Sequence, residues 1–432
     1  MKFSTVVVLV AALFFAVLSY FLFLQVDKPE PHCDVDSKAY IANAKLFAAN
    51  NSFAWQAPGR PYYVLGYSFF LALIFKVFGQ SDAAVIFLQV LLALFSMLLL
   101  FRVGTMLAGR RVGTIAAGLF AINVGYLTFV QFYLTEILLS LLLLLFFERF
   151  VSFVKDKSSQ TLMQSAGALG LSVLVKPAAL YFFIMLVPLF FVASHGRCRI
   201  FLRFATLWLV VFLSPIALYM GHNKMVFGHW YLSGLDSENM LYWFFPNVLA
   251  HEHGTTSDEE RITLRAMSRD DVVAYFKREA FGHPFTMTTV WMKNVAKTWL
   301  GLFSTNLKVL IEPTIAGGSI SFFRVEGSCF KKIYRYMIAG TERLWLCAVA
   351  CAEGVWTVVR LFFCGIAILW FIRRRAWSLL YLFAAYLFYF SMITGHDGCA
   401  RFRMLFEFVL IVLMAIGLSC CVLWLKRKGK CS

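Results

Sequence analysis

Residues 4–24 read STVVVLVAALFFAVLSYFLFL, a run with no charged side chain. A helix of about 20 apolar residues is what crosses ~30 Å of hydrocarbon with every backbone polar group satisfied internally. The signal recurs at about 84–102, 112–131, 136–154, 161–175, 178–194, 203–220, 344–371, 377–394 and 405–425. With 61% hydrophobic and 15% charged residues, the chain lacks the polar surface a soluble protein of this length needs. The expected fold class is an all-α polytopic membrane protein with about ten transmembrane helices (roughly 9–13). The first run is long and no small-x-small cleavage site follows it, so it reads as a retained helix, not a signal peptide.

The net charge of +17 does not indicate a nucleic-acid partner. Lys and Arg sit in short clusters between apolar runs: 102–111, 149–157, 195–203, 373–375 and 426–430. That is how membrane proteins set orientation, and it favours contact with membrane lipids and phosphate-bearing substrates. All five clusters fall inside if the stretch YYVLGYSFFLALIFKVFG (62–79) does not cross, so an interfacial or re-entrant helix is expected there. Three regions then lie outside: 26–83, 221–343 and 395–404. The expected organisation is an N-terminal membrane module 1–220, a large outer loop 221–343 and C-terminal transmembrane helices 344–432. In the large loop, 269–282 reads as an amphipathic helix and 286–304 as an apolar segment lying along the membrane. The ten cysteines show no CxxC or zinc spacing. Cys33, Cys329 and Cys399 share the outer face in this topology, which leaves a disulfide open.

The outer regions hold the unusual polar residues. In HCDVDSKAYIANAKLF, Asp36 or Ser37 suits a helix N-cap, and Tyr40, Ala44, Phe47 and Ala48 form an apolar stripe. Asp36 is thus either a cap or a desolvated carboxylate whose pKa rises and which accepts a proton from a hydroxyl. Glu136 opens a spanning helix, either facing water with the helix dipole or acting as a functional intramembrane carboxylate. Lys176 interrupts an apolar run before Pro177; it either snorkels or binds phosphate. Arg401 and Arg403, outside and just before the last run, are either headgroup anchors or a phosphate grip. His251 and His253 in AHEH point apart in a helix, and no third ligand is evident, so they do not read as a metal site.

In this order the motifs resemble the GT-C superfamily of membrane glycosyltransferases, in the bacterial branch related to protein O-mannosyltransferases and lipid A aminoarabinose transferases. The resemblance rests on Asp36, Ser37, Tyr40 and Ala44 after the first helix, and on PGRPYYVLGYSFFLALIFKVFG. It continues with YLTEILLSLLLLL, GALGLSVLVKPAAL, HNKMVFGHWYLSGLDSENMLYW, KREAFGHPFTMTTVWMKN and CARFRMLFEFVLIVLMAIGL. Departures are YYVLGY in place of a double Pro before Gly-Tyr, His222 and Lys176 where Arg is usual, Phe402 where Tyr is usual, and Glu407 where Pro is frequent.

The resemblance implies transfer of a sugar from a polyprenyl-phosphate donor to an acceptor hydroxyl on a lipid, glycan or protein. It implies Asp36 as the base in a single inverting displacement, with Glu136 and Asp34 as helpers. Arg401, Arg403, Lys176 and Arg60 would offset charge on the leaving phosphate, with Tyr40 alongside. Family members differ over metals, so none is assigned and a divalent metal stays open. A bacterial inner membrane with the site facing the periplasm is expected. The competing class is a flippase or transporter, for which the internal repeat that usually marks it is not found.

Overall fold

The computed structural model describes residues 3–26, 35–50, 63–313 and 328–428, and among these every regular element is helical. Among the described residues seven helices are long and apolar enough to cross a membrane: Ser4–Gln25, Asp82–Ala108, Glu136–Asp156, Cys198–Phe227, Leu344–Arg373, Trp377–His396 and Glu407–Leu425. The chain is an integral membrane protein. The expectation of about ten crossings counts further apolar runs, which fold as shorter helices. The run 112–131 breaks after Arg110–Ala121, where Asn123 caps the short helix Val124–Phe129 by accepting from the Tyr126 N–H. The run 178–194 starts as a 3-10 helix, Pro177–Leu186, with Pro177 at the first position, where its missing N–H costs nothing; the α-helix Val187–Ala193 follows. Within the described part of segment 62–79, Gly66–Phe78 is helical, 13 residues or about 20 Å, too short to span. It packs on the helix Val35–Asn50 through Tyr67 on Tyr40 and Phe69 on Phe47.

Helix ends sort by chemistry. At one end Arg110 donates to Thr5 (3.0 Å), Lys155 to the Met106 carbonyl, and Arg102 pairs with Glu148 (3.0 Å). At the other end Tyr133 donates to Asp82, and Arg343 to Gln25 (3.0 Å). Asp82–Ala108 and Arg110–Ala121 pack closely in a hairpin, and a Cβ on Gly113 would lie 2.4 Å from the Phe101 carbonyl oxygen. Trp208 donates to Ser165, which sets Cys198–Phe227 beside the helix Ser159–Val175.

Between the fourth and fifth candidate spans, Phe245–His253, Ser257–Ala266, Arg269–Gly282 and Pro284–Leu300 form a small helical unit. Its own core contains Phe244, Phe245, Leu249, Leu264 and Val272. Pro284–Leu300 then lies against the turns Ile393–His396 and Ala400–Leu405, where Trp291 donates to the Met392 carbonyl (2.9 Å). That contact brings a distant segment, Ala400–Leu405, to the mouth of the bundle.

Candidate active site

Four charged side chains from four elements meet at the end of the bundle opposite Arg110 and Lys155. The helix Val35–Asn50 begins one residue before Asp36. Asp36 therefore stands in its first turn and is not the cap; its carboxylate is engaged elsewhere. Oδ1 accepts from the Tyr63 hydroxyl (3.1 Å) and Oδ2 from Arg401 Nη2 (2.9 Å). Arg401 Nε donates to Glu136 Oε1 (2.7 Å). Lys176 Nζ lies 3.5 Å from the same oxygen and 4.9 Å from the centre of the Phe402 ring. Two carboxylates and two cations thus balance in a half-enclosed site. Glu136 is buried, and its Oε2 has no hydrogen-bond partner among the described residues. Such a buried oxygen keeps acceptor capacity that the described residues do not use.

Local sequence explains each placement. Glu136 is the first residue of its helix, where the dipole favours a carboxylate. Lys176 ends Ser159–Val175 in an extended conformation before Pro177. Tyr40, one turn along from Asp36, is buried against Tyr63 and Tyr67, with ring centroids 5.1 and 5.3 Å away. Tyr67 donates to Gln89 (3.1 Å), whose amide donates to the Val130 and Phe132 carbonyls. Asp36 is thus backed by an aromatic shelf tied to the main chain beside Glu136.

The sequence leads one to expect a raised Asp36 carboxyl, and the site lowers it instead. Burial pushes it up, but Arg401 and Lys176 outweigh burial, helped by the hydrogen bonds from Arg401 and Tyr63, and hold it below the ordinary value. Burial, and then the Asp36 charge, push Tyr40 well above the usual phenol range, so it stays a neutral hydroxyl. Burial likewise pushes the Cys399 thiol up to about 12, with Asp397 adding to it; that thiol is free.

Arg403 does not join this site. It is buried with Glu353, Arg360 and Glu407 in a second charged cluster. In a 3-10 turn of three residues per revolution, positions two apart diverge by about 120°, so Arg401 and Arg403 face different ways. Asp34, Arg60 and Cys33 lie outside the described residues, as does the Cys329 side chain. The sequence reading missed Tyr63 and Gln89, which carry no charge to mark them. It also missed Glu353 and Arg360, seven residues apart in an apolar 30-residue helix. Their heptad spacing on one face was the available signal. Among the described residues no group of three His, Cys, Asp or Glu could hold a metal. Arg401 lies between Asp36 and Glu136 and is bonded to both.

Residues 60–220 match the family model for dolichyl-phosphate-mannose-protein mannosyltransferase. No curated protein matches the sequence. The crystal structure of the oligosaccharyltransferase of Archaeoglobus fulgidus in the apo form superposes at TM-score 0.55 and 19% identity, covering 99% of this chain and 52% of that one. This chain has the GT-C fold. A second structure from that organism, AglB in complex with an inhibitory peptide and a dolichol-phosphate, gives TM-score 0.55 at 14% identity with the same coverage. ArnT from Cupriavidus metallidurans in the apo state aligns over 94% of this chain and 76% of that one, at 13% identity and TM-score 0.41. The chain spans about half the length of the oligosaccharyltransferases it matches. The family-model match contains Glu136 and Lys176; Asp36 and Arg401 lie beyond it on either side.

Proposed function

We propose that this protein is a glycosyltransferase that moves a sugar from a polyprenyl-phosphate donor to an acceptor hydroxyl at the outer face of a bacterial inner membrane. The observation that carries this reading is the fork of Arg401 between Asp36 and Glu136, with Lys176 beside it. It joins a potential base to two cations at one rim of a membrane bundle. The family model and the dolichol-phosphate named with AglB support a lipid-phosphate donor. Clustering of the basic segments at the opposite end supports that end as cytoplasmic.

In the arrangement described, Asp36 is ionised but weakly basic, because Arg401 holds its charge. A donor phosphate competes for the same guanidinium. As Arg401 and Lys176 turn to the phosphate, burial prevails at Asp36 and its basicity rises where the acceptor proton must go. The two cations then meet the charge that develops on the leaving phosphate, typically a large electrostatic contribution in a water-poor site. Glu136, through its unpartnered Oε2, accepts from an acceptor hydroxyl and orients it. Asp36 on the face opposite the leaving group gives inversion in one displacement. A cleft of about 670 Å³ beside Gly398–Ala400, lined by Leu300, Tyr336, Val355 and Val358, suits a lipid chain, with Lys297 at its polar edge.

The test is Asp36→Asn in membranes of a strain lacking the native protein, with accumulated polyprenyl-phosphate sugar as the readout. Transfer is expected to fall by about a hundred- to ten-thousand-fold with normal membrane insertion. Transfer at the native rate would remove Asp36 from the role of base.

A further inference from the structure

The turn that carries Arg401 is held from its far side. Arg403 Nη1 donates to the carbonyls of Trp299 (3.1 Å) and Gly301 (2.5 Å), at the end of Pro284–Leu300. Nη2 reaches Glu353 Oε1 (3.3 Å) on Leu344–Arg373, and Nε reaches Glu407 Oε2 (3.0 Å) on the last helix. Its guanidinium also lies 4.1 Å from the centre of the Phe303 ring. One buried side chain therefore ties three elements to a six-residue turn, Ala400–Leu405.

The anions of this cluster are satisfied without Arg403. Glu353 accepts from the Phe303 and Ser304 N–H groups (2.7 and 2.8 Å). Glu407 accepts from Asn123 (2.8 Å) and from Arg360 Nη1 (2.9 and 3.1 Å). Two Arg and two Glu sum to zero, so the cluster adds no net charge near the site. The four directed contacts of Arg403 are thus in excess of what the carboxylates need, and what they fix is the turn.

We propose that Arg403 is a positioning residue, which anchors the Ala400–Leu405 turn so that Arg401, two residues earlier, reaches both Asp36 and Glu136. The planar fork of an arginine is required because the acceptors lie in different directions: two carbonyls on one nitrogen and a carboxylate on each of the others. Because two of those acceptors end the helix Pro284–Leu300, the same contact links the outer segment to the position of Arg401. This deepens the function proposed above and rests on Arg401 as the cation that serves Asp36.

The test uses the full-length protein in nanodiscs and reads Arg401 directly, without an assay of sugar transfer. Phenylglyoxal modifies accessible guanidinium groups, and peptide mass spectrometry gives the rate at each arginine. In the native protein Arg401 is 11% exposed and bonded on two sides, so it reacts slowly. Arg403→Gln is expected to raise the Arg401 rate about tenfold, the population change that about 1.4 kcal/mol produces. Arg360, buried in the same cluster, should stay unreactive. Arg403→Lys, which keeps the charge but not the fork, should restore part of the protection. An unchanged Arg401 rate in Arg403→Gln would overturn the proposal. So would a parallel rise at Arg360, which would make Arg403 a general support of the fold. Failure of the glycosyltransferase reading would instead appear as native transfer by Asp36→Asn, so the two failures are distinguishable.

Discussion

A guanidinium shared by two carboxylates settles the state of both, and that is the central fact at the scale of residues. Asp36 is partly enclosed, yet its carboxyl sits below the ordinary value because Arg401 and Lys176 face it, with Tyr63 bonded to its other oxygen. A depressed pKa means that the carboxylate stabilises the folded protein above its unfolded value, and that this contribution is lost as pH falls through the folded value. Replacing Arg401 by Met removes the chief cation and leaves burial to dominate, so the Asp36 pKa should rise. If ionised Asp36 is the base, the acid limb of kcat/KM for sugar transfer should shift to higher pH in Arg401→Met. A limb that stays at its native pH would show that Asp36 does not control it. Asp36 and Glu136 stood out in the sequence as carboxylates at the ends of apolar runs. Arg401 stood out only together with Arg403, since nothing in the local sequence says which of the two meets them.

At the scale of elements, the decisive piece is the short connection 393–406 between the last two long helices. Two 3-10 turns and Gly398 shape it. Gly398 has φ 68°, the left-handed region that favours glycine, and a Cβ there would lie 2.4 Å from the Asn294 carbonyl oxygen. Gly398→Ala should therefore cost more than the ~1 kcal/mol of strain alone, since the turn must also move off Pro284–Leu300. Thermal unfolding in detergent should show the loss, and a native midpoint would refute the close packing. The helix Arg269–Gly282 follows its expected bounds, because the amphipathic pattern and a Ser268 cap are local signals. The break at Asn123 was not legible in the same way. Its side chain caps Val124–Phe129 while donating to Glu407, 284 residues away.

For the whole molecule, the sorting of helix ends is the property that matters. Arg110 meets Thr5 and Lys155 meets Met106 at one end, and Asp36, Glu136, Lys176 and Arg401 meet at the other. Cysteines introduced at the exposed positions Lys45 and Arg111 should react with a membrane-impermeant maleimide from opposite sides, Lys45→Cys from the periplasm. Peptide mass spectrometry separates them from the native thiols. Labelling of both from one side would refute the orientation of the site. The fold accommodates this arrangement because the helices share one packed core, to which Tyr40 and Tyr67 belong, while the segment around Phe245 and Leu264 keeps a small core of its own.

The sequence by itself determined that the chain is helical and membrane-embedded, since hydrophobic length and charge clusters are one-dimensional quantities the bilayer reads directly. It also placed Asp36, Glu136, Lys176 and Arg401 among the residues of interest, because charge beside hydrocarbon is conspicuous wherever it occurs. Only the tertiary structure decided which charges meet. Arg401 lies 365 residues from Asp36 and 265 from Glu136, and a turn of three residues per revolution sends its neighbour Arg403 to other partners. Contacts at such separations depend on how helices pack, and packing is not carried by any local pattern of residues.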